Sequence, residues 1–214
     1  MLTAIEGRVL GCLLEKERTV PDQYPLTLNA LVSACNQTTS REPVMHLDEH
    51  EVDATLSGLK AQGLLRYVHP TSGRGVTKYR QIAAETWALE PDAAAVVAVL
   101  LLRGPQTAAE LRVRTERLHE FTDVGQVEAV LRDLQAAERV QLLDRAHGQK
   151  EARWQQLYAE EPEVPAGPAV LTPESVRGSA AERIAALEAR VARLEDALAD
   201  LLGPTDPPTD PAAE

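Results

Sequence analysis

Val52-Asp53-Ala54-Thr55-Leu56-Ser57-Gly58-Leu59 is matched, 75 positions further along the chain, by Val127-Glu128-Ala129-Val130-Leu131-Arg132-Asp133-Leu134. In both stretches apolar side chains recur three and four positions apart, which is typical of the buried face of an α-helix. The same offset joins three further pairs: Asp48 with Asp123, Glu51 with Gln126, and Tyr79 with Trp154. Because a helix, its start and a later aromatic residue share one offset, we interpret the chain as a duplicated structural unit.

Helix starts are indicated by N-cap residues that are followed, three positions later, by Glu or Gln. In this arrangement the two side chains reciprocally satisfy backbone amides that a helix N-terminus leaves free. Four pairs have the spacing: Thr3 with Glu6, Asp48 with Glu51, Thr107 with Glu110, and Asp123 with Gln126. We therefore expect a helix to begin at each of the four.

The first unit also carries signals for a second helix and for two strands. Proline suits the first turn of a helix, so Pro25 is predicted to open the second helix. Gly63 follows the third helix as a C′ glycine would. Strand-like residues at 65–67 and 76–79 then flank a loop that is rich in turn-forming residues.

The second unit repeats this order of elements. Its first helix, 93–102, stops at Gly104-Pro105, and strand-like segments follow at 140–143 and 152–157. Three helices followed by a hairpin form the winged helix-turn-helix arrangement. We therefore predict a mainly α chain with small β-hairpins, of the α+β class, built from two tandem winged-helix domains.

Beyond residue 159 the composition changes. Four prolines among Glu, Ala and Gly predict a linker, and apolar residues then follow the spacing of a coiled-coil seam. The seam residues are Ile184, Leu187, Val191, Leu194, Leu198 and Leu201. Because three heptads are few, we expect either a homodimer through this coil or a helix that packs on its own domains. The predicted organisation is winged-helix domains at 1–88 and 89–159, a linker at 160–179, a coiled-coil helix at 180–202 and a disordered tail at 203–214.

Charge is distributed unevenly along the chain, whose formal net charge is -11. Lys and Arg against Asp and Glu number 9 and 11 in residues 1–90, 9 and 10 in 91–159, and 4 and 12 in 160–214. The excess acid therefore lies in the tail, and the nearly neutral domains allow a local basic patch.

Composition also argues against export and membrane insertion. The longest apolar run, 93–102, is far shorter than the roughly 20 residues that cross a bilayer. The N-terminus lacks the basic start and cleavage site of a secretory signal, so we expect a cytoplasmic protein. Cys12 and Cys35 lie in apolar helical patterns, where we expect them buried and reduced.

Enzymatic sites are not indicated. His46-Leu47-Asp48-Glu49-His50 matches the H-x-x-E-H string of some zinc peptidases, but capping by Asp48 would place His46 outside the helix. No nucleophile with a base and no phosphate-cradling glycine loop appears in the sequence. We therefore predict no catalytic residue, no metal and no cofactor.

The first hairpin offers candidate nucleic-acid contacts at His69, Arg74, Lys78 and Arg80. Their positive charge suits a phosphate backbone, although exposed Lys and Arg on a hairpin are also an ordinary solvated state. The third helices argue against reading of bases in the DNA groove, because their outward residues would place several carboxylates near phosphates. The outward residues are His50, Glu51, Asp53, Ser57 and Lys60 in the first unit, and Glu128, Arg132 and Asp133 in the second.

Two further surfaces are candidates for binding. The segment between the second and third helices is long, and it either presents Asn36, Gln37, Arg41 and Glu42 to a partner or folds back onto its own backbone. On the second helix of the other unit, arginines alternate with glutamates, which predicts a salt-bridged face. The residues of that face are Arg112, Arg114 and Arg117 with Glu110, Glu116 and Glu120.

Several strings outside the repeat match a known pattern. They are Leu13-Leu14-Glu15-Lys16, Gln23-Tyr24-Pro25-Leu26, Ala34-Cys35-Asn36-Gln37-Thr38-Thr39 with Arg41-Glu42-Pro43-Val44-Met45, and Leu100-Leu101-Leu102-Arg103-Gly104 with Gln106-Thr107 and Glu110-Leu111-Arg112. Over roughly residues 1–160 the chain resembles the YceH family of uncharacterised bacterial proteins. The resemblance implies a tandem winged-helix fold with no assigned enzymatic activity, and it makes Asn36, Gln37, Arg41 and Glu42 candidate interaction residues.

Two functional hypotheses follow, both non-enzymatic. A DNA-binding regulator is favoured by the winged-helix repeat, the basic first hairpin and a dimerising coil. A protein-interaction adaptor, similar to the winged-helix partners of kleisins, is favoured by the acidic third helices and the long loop. The partner is therefore double-stranded DNA or another protein, and we expect no membrane association.

Overall fold

The computed structural model describes residues 1–70, 75–145 and 151–162. Arg74, the turn of the second hairpin, most of the predicted linker, the coiled-coil seam and the predicted tail lie outside these described residues. The described part is of the α+β class, with helices and small antiparallel sheets. In it, no helix combines the length and the apolar character that a membrane span requires.

The first copy of the repeat consists of three helices and a small sheet. Its elements are α1 (Ala4–Thr19), β1 (Leu26–Thr27), α2 (Leu28–Cys35), α3 (Glu49–Ala61), β2 (Leu65–Val68) and β3 (Lys78–Gln81), with a 3₁₀ turn at Pro21–Gln23. The strands are antiparallel, in the order β1-β3-β2. Helix α1 begins at the predicted capping box of Thr3 and Glu6, and Gly63 adopts φ +70° after α3.

The second copy repeats these elements after a short connecting helix. The connecting helix is α4 (Ala83–Thr86). The second copy contains α5 (Pro91–Arg103), α6 (Ala108–Thr115), α7 (Val124–Ala136), β4 (Val140–Leu143) and β5 (Arg153–Gln156). The bounds of α7, β4 and β5 are those of α3, β2 and β3 moved by 75 positions at both ends. The backbone bridge between Gln106 and Trp154 matches the pairing of Leu26 with Tyr79. The predicted duplication is therefore present in the structure.

Four local predictions were wrong in detail. Pro25 does not open α2, because Leu26 and Thr27 first pair with β3 and Thr27 caps the helix instead. Strand β3 begins at Lys78, so Val76 lies outside it and is 64% exposed. Strand β5 covers Arg153–Gln156, so the strand predicted at 152–157 is one residue too long at each end. In α7, Gln126 accepts a hydrogen bond from the amide of Thr122, so no reciprocal box forms with the N-cap Asp123.

The two copies share one hydrophobic core. Helix α1 packs closely on α5, and α1 carries two glycines, Gly7 and Gly11. A Cβ atom at Gly11 would lie 3.0 Å from Leu102, and one at Gly7 would lie 2.6 Å from the Cβ of Ala159, closer than van der Waals contact permits. Gly11 therefore allows α1 to approach α5 closely, and Gly7 allows α1 to approach Ala159.

The N-terminal residues pair with the end of the second copy. The amide of Leu2 donates to the carbonyl of Tyr158 at 2.8 Å, and the amide of Glu160 donates to the carbonyl of Leu2 at 2.9 Å. This parallel bridge joins the first and last described segments of the chain. It adds backbone hydrogen bonds to the shared core.

Candidate nucleic-acid interface

The first hairpin has one buried face and one exposed basic face. In the register of β2 and β3, Arg66 lies opposite Arg80 and Val68 lies opposite Lys78. Because successive residues of a strand point to opposite faces, these four side chains share one face of the sheet. Arg66 and Val68 are exposed, and Lys78 and Arg80 are half-buried. We call this surface, Arg66, Val68, Lys78 and Arg80, the basic hairpin face.

The positive charge of the basic hairpin face is only partly compensated. Arg80 lies 3.4 Å from Glu85, but both side chains are substantially exposed, so the pair is weak. Among the described residues, no carboxylate lies within 4.0 Å of Arg66 or Lys78. Two cations opposite or diagonal to each other repel unless an anion lies between them. The face therefore has free capacity for an anionic partner.

The opposite face of the hairpin packs on α3. Tyr67 meets Tyr79 edge to face at 5.0 Å between ring centroids, and the Lys60 ammonium lies 4.4 Å from the centre of the Tyr67 ring. The hydroxyls of Ser57 and Tyr67 are 3.4 Å apart. Aromatic packing and the cation–π contact fix the sheet against the helix. They leave the basic hairpin face on the outer side.

Three of the four residues predicted to contact nucleic acid lie in the described structure, and two of these three lie on the basic hairpin face. Lys78 and Arg80 lie on the basic hairpin face, whereas His69 follows β2 and its Nδ1 is 3.4 Å from the Thr77 hydroxyl. Arg66 was not predicted, because a single arginine in a short strand carries no signal by itself. The pairing of Tyr67 with Tyr79 places Arg66 beside Arg80, and that register was the signal that could have identified it.

The second hairpin lacks this charge at the equivalent positions. Gln141 and Gln155 replace the facing arginines, and the Gln141 amide donates to the Gln155 side chain at 2.8 Å. Arg153 corresponds to Lys78, but it binds Glu110 at 2.9 Å and donates to the Pro105 carbonyl at 2.8 Å. The outer face of this hairpin is therefore close to neutral.

The third helices present acidic outer surfaces, as predicted. On α3, Glu51 and Asp53 are exposed, and on α7, Glu128 and Asp133 are exposed. Carboxylates at these positions would repel the phosphates that flank a DNA groove. Insertion of either helix into a groove is therefore electrostatically unfavourable.

The long connection between α2 and α3 folds back onto its own domain. The guanidinium of Arg41 is fully buried, and it contacts both carboxylate oxygens of Glu15 at 2.7 and 3.1 Å. It also donates to the carbonyls of Ala34 and Ser40. Asn36 fixes the other end by exchanging two hydrogen bonds with the backbone of Leu47. These contacts match the folded-back alternative for Asn36 and Arg41.

The remaining loop candidates differ in accessibility. Gln37 is half-buried and accepts hydrogen bonds from Lys16 and Arg41, whereas the side chain of Glu42 is exposed. Burial alone would raise the pKa of Glu15, but the hydrogen bonds and charge of Arg41, with Lys16, lower it below its ordinary value. The ion pair of Glu15 and Arg41 is therefore a structural clamp within the first copy.

The histidine string and the cysteines have ordinary structural positions. Helix α3 begins at Glu49 after the N-cap Asp48, so His46 lies outside the helix while His50 lies inside it. The described residues contain no cluster of three or more metal-binding side chains. Cys12 and Cys35 are both buried in the core and not bonded to each other.

Comparison with known proteins identifies the family. A family model described as "Protein of unknown function, DUF480" matches residues 2–149. The UPF0502 protein of Shewanella halifaxensis is 47% identical over 210 residues, which are 94% of each chain. That of Geobacter sulfurreducens is 48% identical over 201 residues, which are 91% of this chain and 90% of the relative. That of Pelobacter propionicus is 52% identical over 159 residues, 73% of this chain and 72% of the relative. The chain therefore belongs to the DUF480 family of proteins of unknown function, also named UPF0502 or YceH, which confirms the resemblance seen in its sequence.

Proposed function

We propose that the chain is a non-enzymatic, cytoplasmic, tandem winged-helix protein that binds double-stranded DNA through the basic hairpin face. The proposal rests on one observation: Arg66, Lys78 and Arg80 share an exposed sheet face and have only one weak carboxylate contact among the described residues. When Lys and Arg side chains neutralise DNA phosphates, the counterions condensed on the DNA are released, which favours binding.

The geometry favours backbone contacts over base reading. The acidic outer surfaces of α3 and α7 oppose entry into the major groove, which is the usual site of a winged-helix recognition helix. Phosphate contacts position a protein on DNA but carry no sequence information. We therefore propose that the hairpin follows the phosphate backbone and that binding is largely independent of sequence.

The C-terminal seam belongs to the same proposal. A parallel coil through Ile184, Leu187 and Val191, with the later leucines, would join two chains and present two basic hairpin faces to one duplex. Paired weak sites raise the overall affinity without any new contact. Analytical ultracentrifugation of the full chain and of a chain ending at residue 179 tests this part separately.

The DNA proposal is tested by fluorescence anisotropy with a duplex of about 20 base pairs at different salt concentrations. Three phosphate contacts give a slope of about -2.7 in log K against log salt, so affinity falls about 40-fold between roughly 50 and 200 mM. In Arg66→Gln/Arg80→Gln one contact remains, and the fall is only about 3.5-fold over the same range. No binding by the wild type at the lower concentration rejects the proposal.

A second candidate function is a protein-interaction adaptor, which the acidic surfaces of α3 and α7 favour. A basic protein partner would meet Asp53 and Glu128 where DNA phosphates would be repelled. Co-purification from the native host with wild type and with Asp53→Lys/Glu128→Lys separates the two functions. Loss of a protein partner in the variant, with no nucleic acid bound to the wild type, supports the adaptor.

A further inference from the structure

A cleft is present where the connection between α2 and α3 meets helices α5 and α6. It has a volume of about 220 Å³. Polar residues from both copies of the repeat line it, and they include Lys16, Thr39, Ser40, Arg103, Arg114 and Arg117. A second depression on the far side of Arg103 and Arg114 shares these two arginines with the cleft. The cleft is separate from the basic hairpin face.

The lining of the cleft is strongly cationic. Four of its residues are Lys or Arg, and Glu15 is its single acid among the described residues. Both oxygens of that carboxylate already contact the buried guanidinium of Arg41, and one of them also meets Lys16 at 3.1 Å. Glu15 therefore forms its close contacts with Arg41 and Lys16 and none with Arg103, Arg114 or Arg117.

The individual arginines have few partners. Arg103 donates to the Ser40 hydroxyl at 2.6 Å, and Arg114 approaches Glu110 only to 3.8 Å, because Arg153 binds the same carboxylate at 2.9 Å. Within the described part of the chain, neither Arg103 nor Arg117 has a carboxylate within 4.0 Å. Of the predicted salt-bridged face, only the pair of Arg114 with Glu110 is present among the described residues, and the prediction is wrong for Arg112 and Arg117.

Convergence of these charges has an electrostatic cost. Burial lowers the pKa of Arg103, and the neighbouring guanidinium groups of Arg114 and Arg41 lower it further. Lys16, Arg103 and Arg114 each lie in the last turn of a helix, where the helix dipole favours a cation. The helix dipole accounts for each cation at the end of its own helix. It does not account for three such cations meeting in one cleft.

We propose that this cleft binds a small anion that carries a phosphate group. Guanidinium groups offer paired donors that match phosphate oxygens, and the hydroxyls of Thr39 and Ser40 add neutral donors beside them. The volume suits a phosphorylated small molecule and is too small for a duplex. The ligand would contact Lys16 and Ser40 in the first copy and Arg103, Arg114 and Arg117 in the second, so it would link the two copies.

Isothermal titration of the full chain with pyrophosphate, at constant ionic strength, tests this proposal. Wild type is expected to bind saturably, and Arg103→Gln and Arg117→Gln each to bind at least 10-fold more weakly. Arg112→Gln is the matched control, because Arg112 lies on α6 outside the cleft and donates instead to the Thr122 carbonyl. Since Arg117 is exposed, its substitution leaves the core intact and provides a folded variant.

Two further measurements make the outcome decisive. Citrate in place of pyrophosphate separates phosphate from carboxylate chemistry, and tighter binding of citrate overturns the assignment to phosphate. Absence of saturable pyrophosphate binding by the wild type, or equal affinities in Arg117→Gln and Arg112→Gln, overturns the site itself. The hairpin variant Arg66→Gln/Arg80→Gln is expected to bind pyrophosphate as the wild type does, so this result is independent of DNA binding.

Discussion

The two hairpins have the same backbone register, but the outer face of the first is basic and that of the second is close to neutral. Moving β2 and β3 by 75 positions gives β4 and β5, and the facing pair Arg66 and Arg80 becomes Gln141 and Gln155. Tyr79 and Trp154 occupy equivalent positions, and both aromatic side chains are buried. Packing therefore constrains the inner face of each hairpin, whereas the outer face is free to differ. In the first copy the outer face carries positive charge.

The connections before the third helices differ in the same way. The first runs from α2 to α3 through the clamp of Arg41 and Glu15, and the second, from α6 to α7, is five residues shorter: 13 residues (36–48) against 8 (116–123). We expect Arg41→Met to lower the free energy of unfolding by about 3 kcal/mol, because it leaves the carboxylate of Glu15 without its buried partner. Urea denaturation measures the loss.

Arg132→Met on the exposed side of α7 is the control for the clamp, and it should change stability by less than about 0.5 kcal/mol. A similar small change in Arg41→Met would show that the first copy does not depend on its longer connection. Arg103→Gln tests anion binding in the cleft and does not test this comparison.

The clamp also predicts a pH dependence of the stability of the chain. The pKa of Glu15 is lowered in the folded chain, so its contribution is complete above the unfolded carboxyl pKa of about 4.3 and is lost as pH falls through the folded value. Urea denaturation at several pH values between about 7 and 3 should therefore show a shallower decline in Glu15→Gln than in wild type. Identical slopes would contradict the role of this carboxylate.

Exchange of the outer hairpin residues tests whether charge alone distinguishes the copies. Arg66→Gln/Arg80→Gln should weaken DNA binding at low salt at least about 10-fold, because two phosphate contacts are lost. Adding Gln141→Arg/Gln155→Arg to that variant should restore part of the affinity, since the second register places the new arginines side by side. Anisotropy titration is the measurement. Failure of the second pair to restore binding would indicate that the surroundings of the first hairpin matter as well.

The residue after each third helix gives a smaller test. Gly63 and Glu138 are equivalent, and their φ angles are +70° and +55°, in the left-handed region that favours glycine. Gly63→Ala should lower stability by about 1 kcal/mol and Glu138→Gly should raise it by about the same amount. No atom lies within 4 Å of the position that a Cβ of Gly63 would occupy, so crowding does not contribute. Thermal denaturation showing the same sign for both changes would refute this equivalence.

The smallest expected difference concerns the helix starts. Glu51 completes a reciprocal box with Asp48, whereas Gln126 accepts from Thr122. Glu51→Ala should cost about 0.5 kcal/mol, and Gln126→Ala less, because an acidic side chain in the first turn also interacts with the helix dipole. Urea denaturation of the pair of variants gives the comparison, and a larger loss for Gln126→Ala would reverse it.

Local signals in the sequence were sufficient for helix α3, whereas long-range pairing explains the error at the start of α2. The cap at Asp48, the apolar face of α3 and Gly63 are all determined within about 15 residues, and each prediction was confirmed. Strand β1 exists only because Leu26 meets Tyr79, more than 50 residues away, so the local preference of Pro25 was misleading. Likewise, the clamp and the cationic cleft join residues from distant segments. Neither has a signature in any single stretch of sequence.

The bridge between Leu2 and Ala159 has a consequence for biosynthesis. During translation the N-terminal residues leave the ribosome first, but their backbone partners at 158–160 are synthesised only after both copies of the repeat. Until residues 158–160 have been synthesised, the amide and carbonyl of Leu2 lack these backbone partners. The N-terminal segment therefore reaches its final hydrogen bonding only after residue 160 has been synthesised.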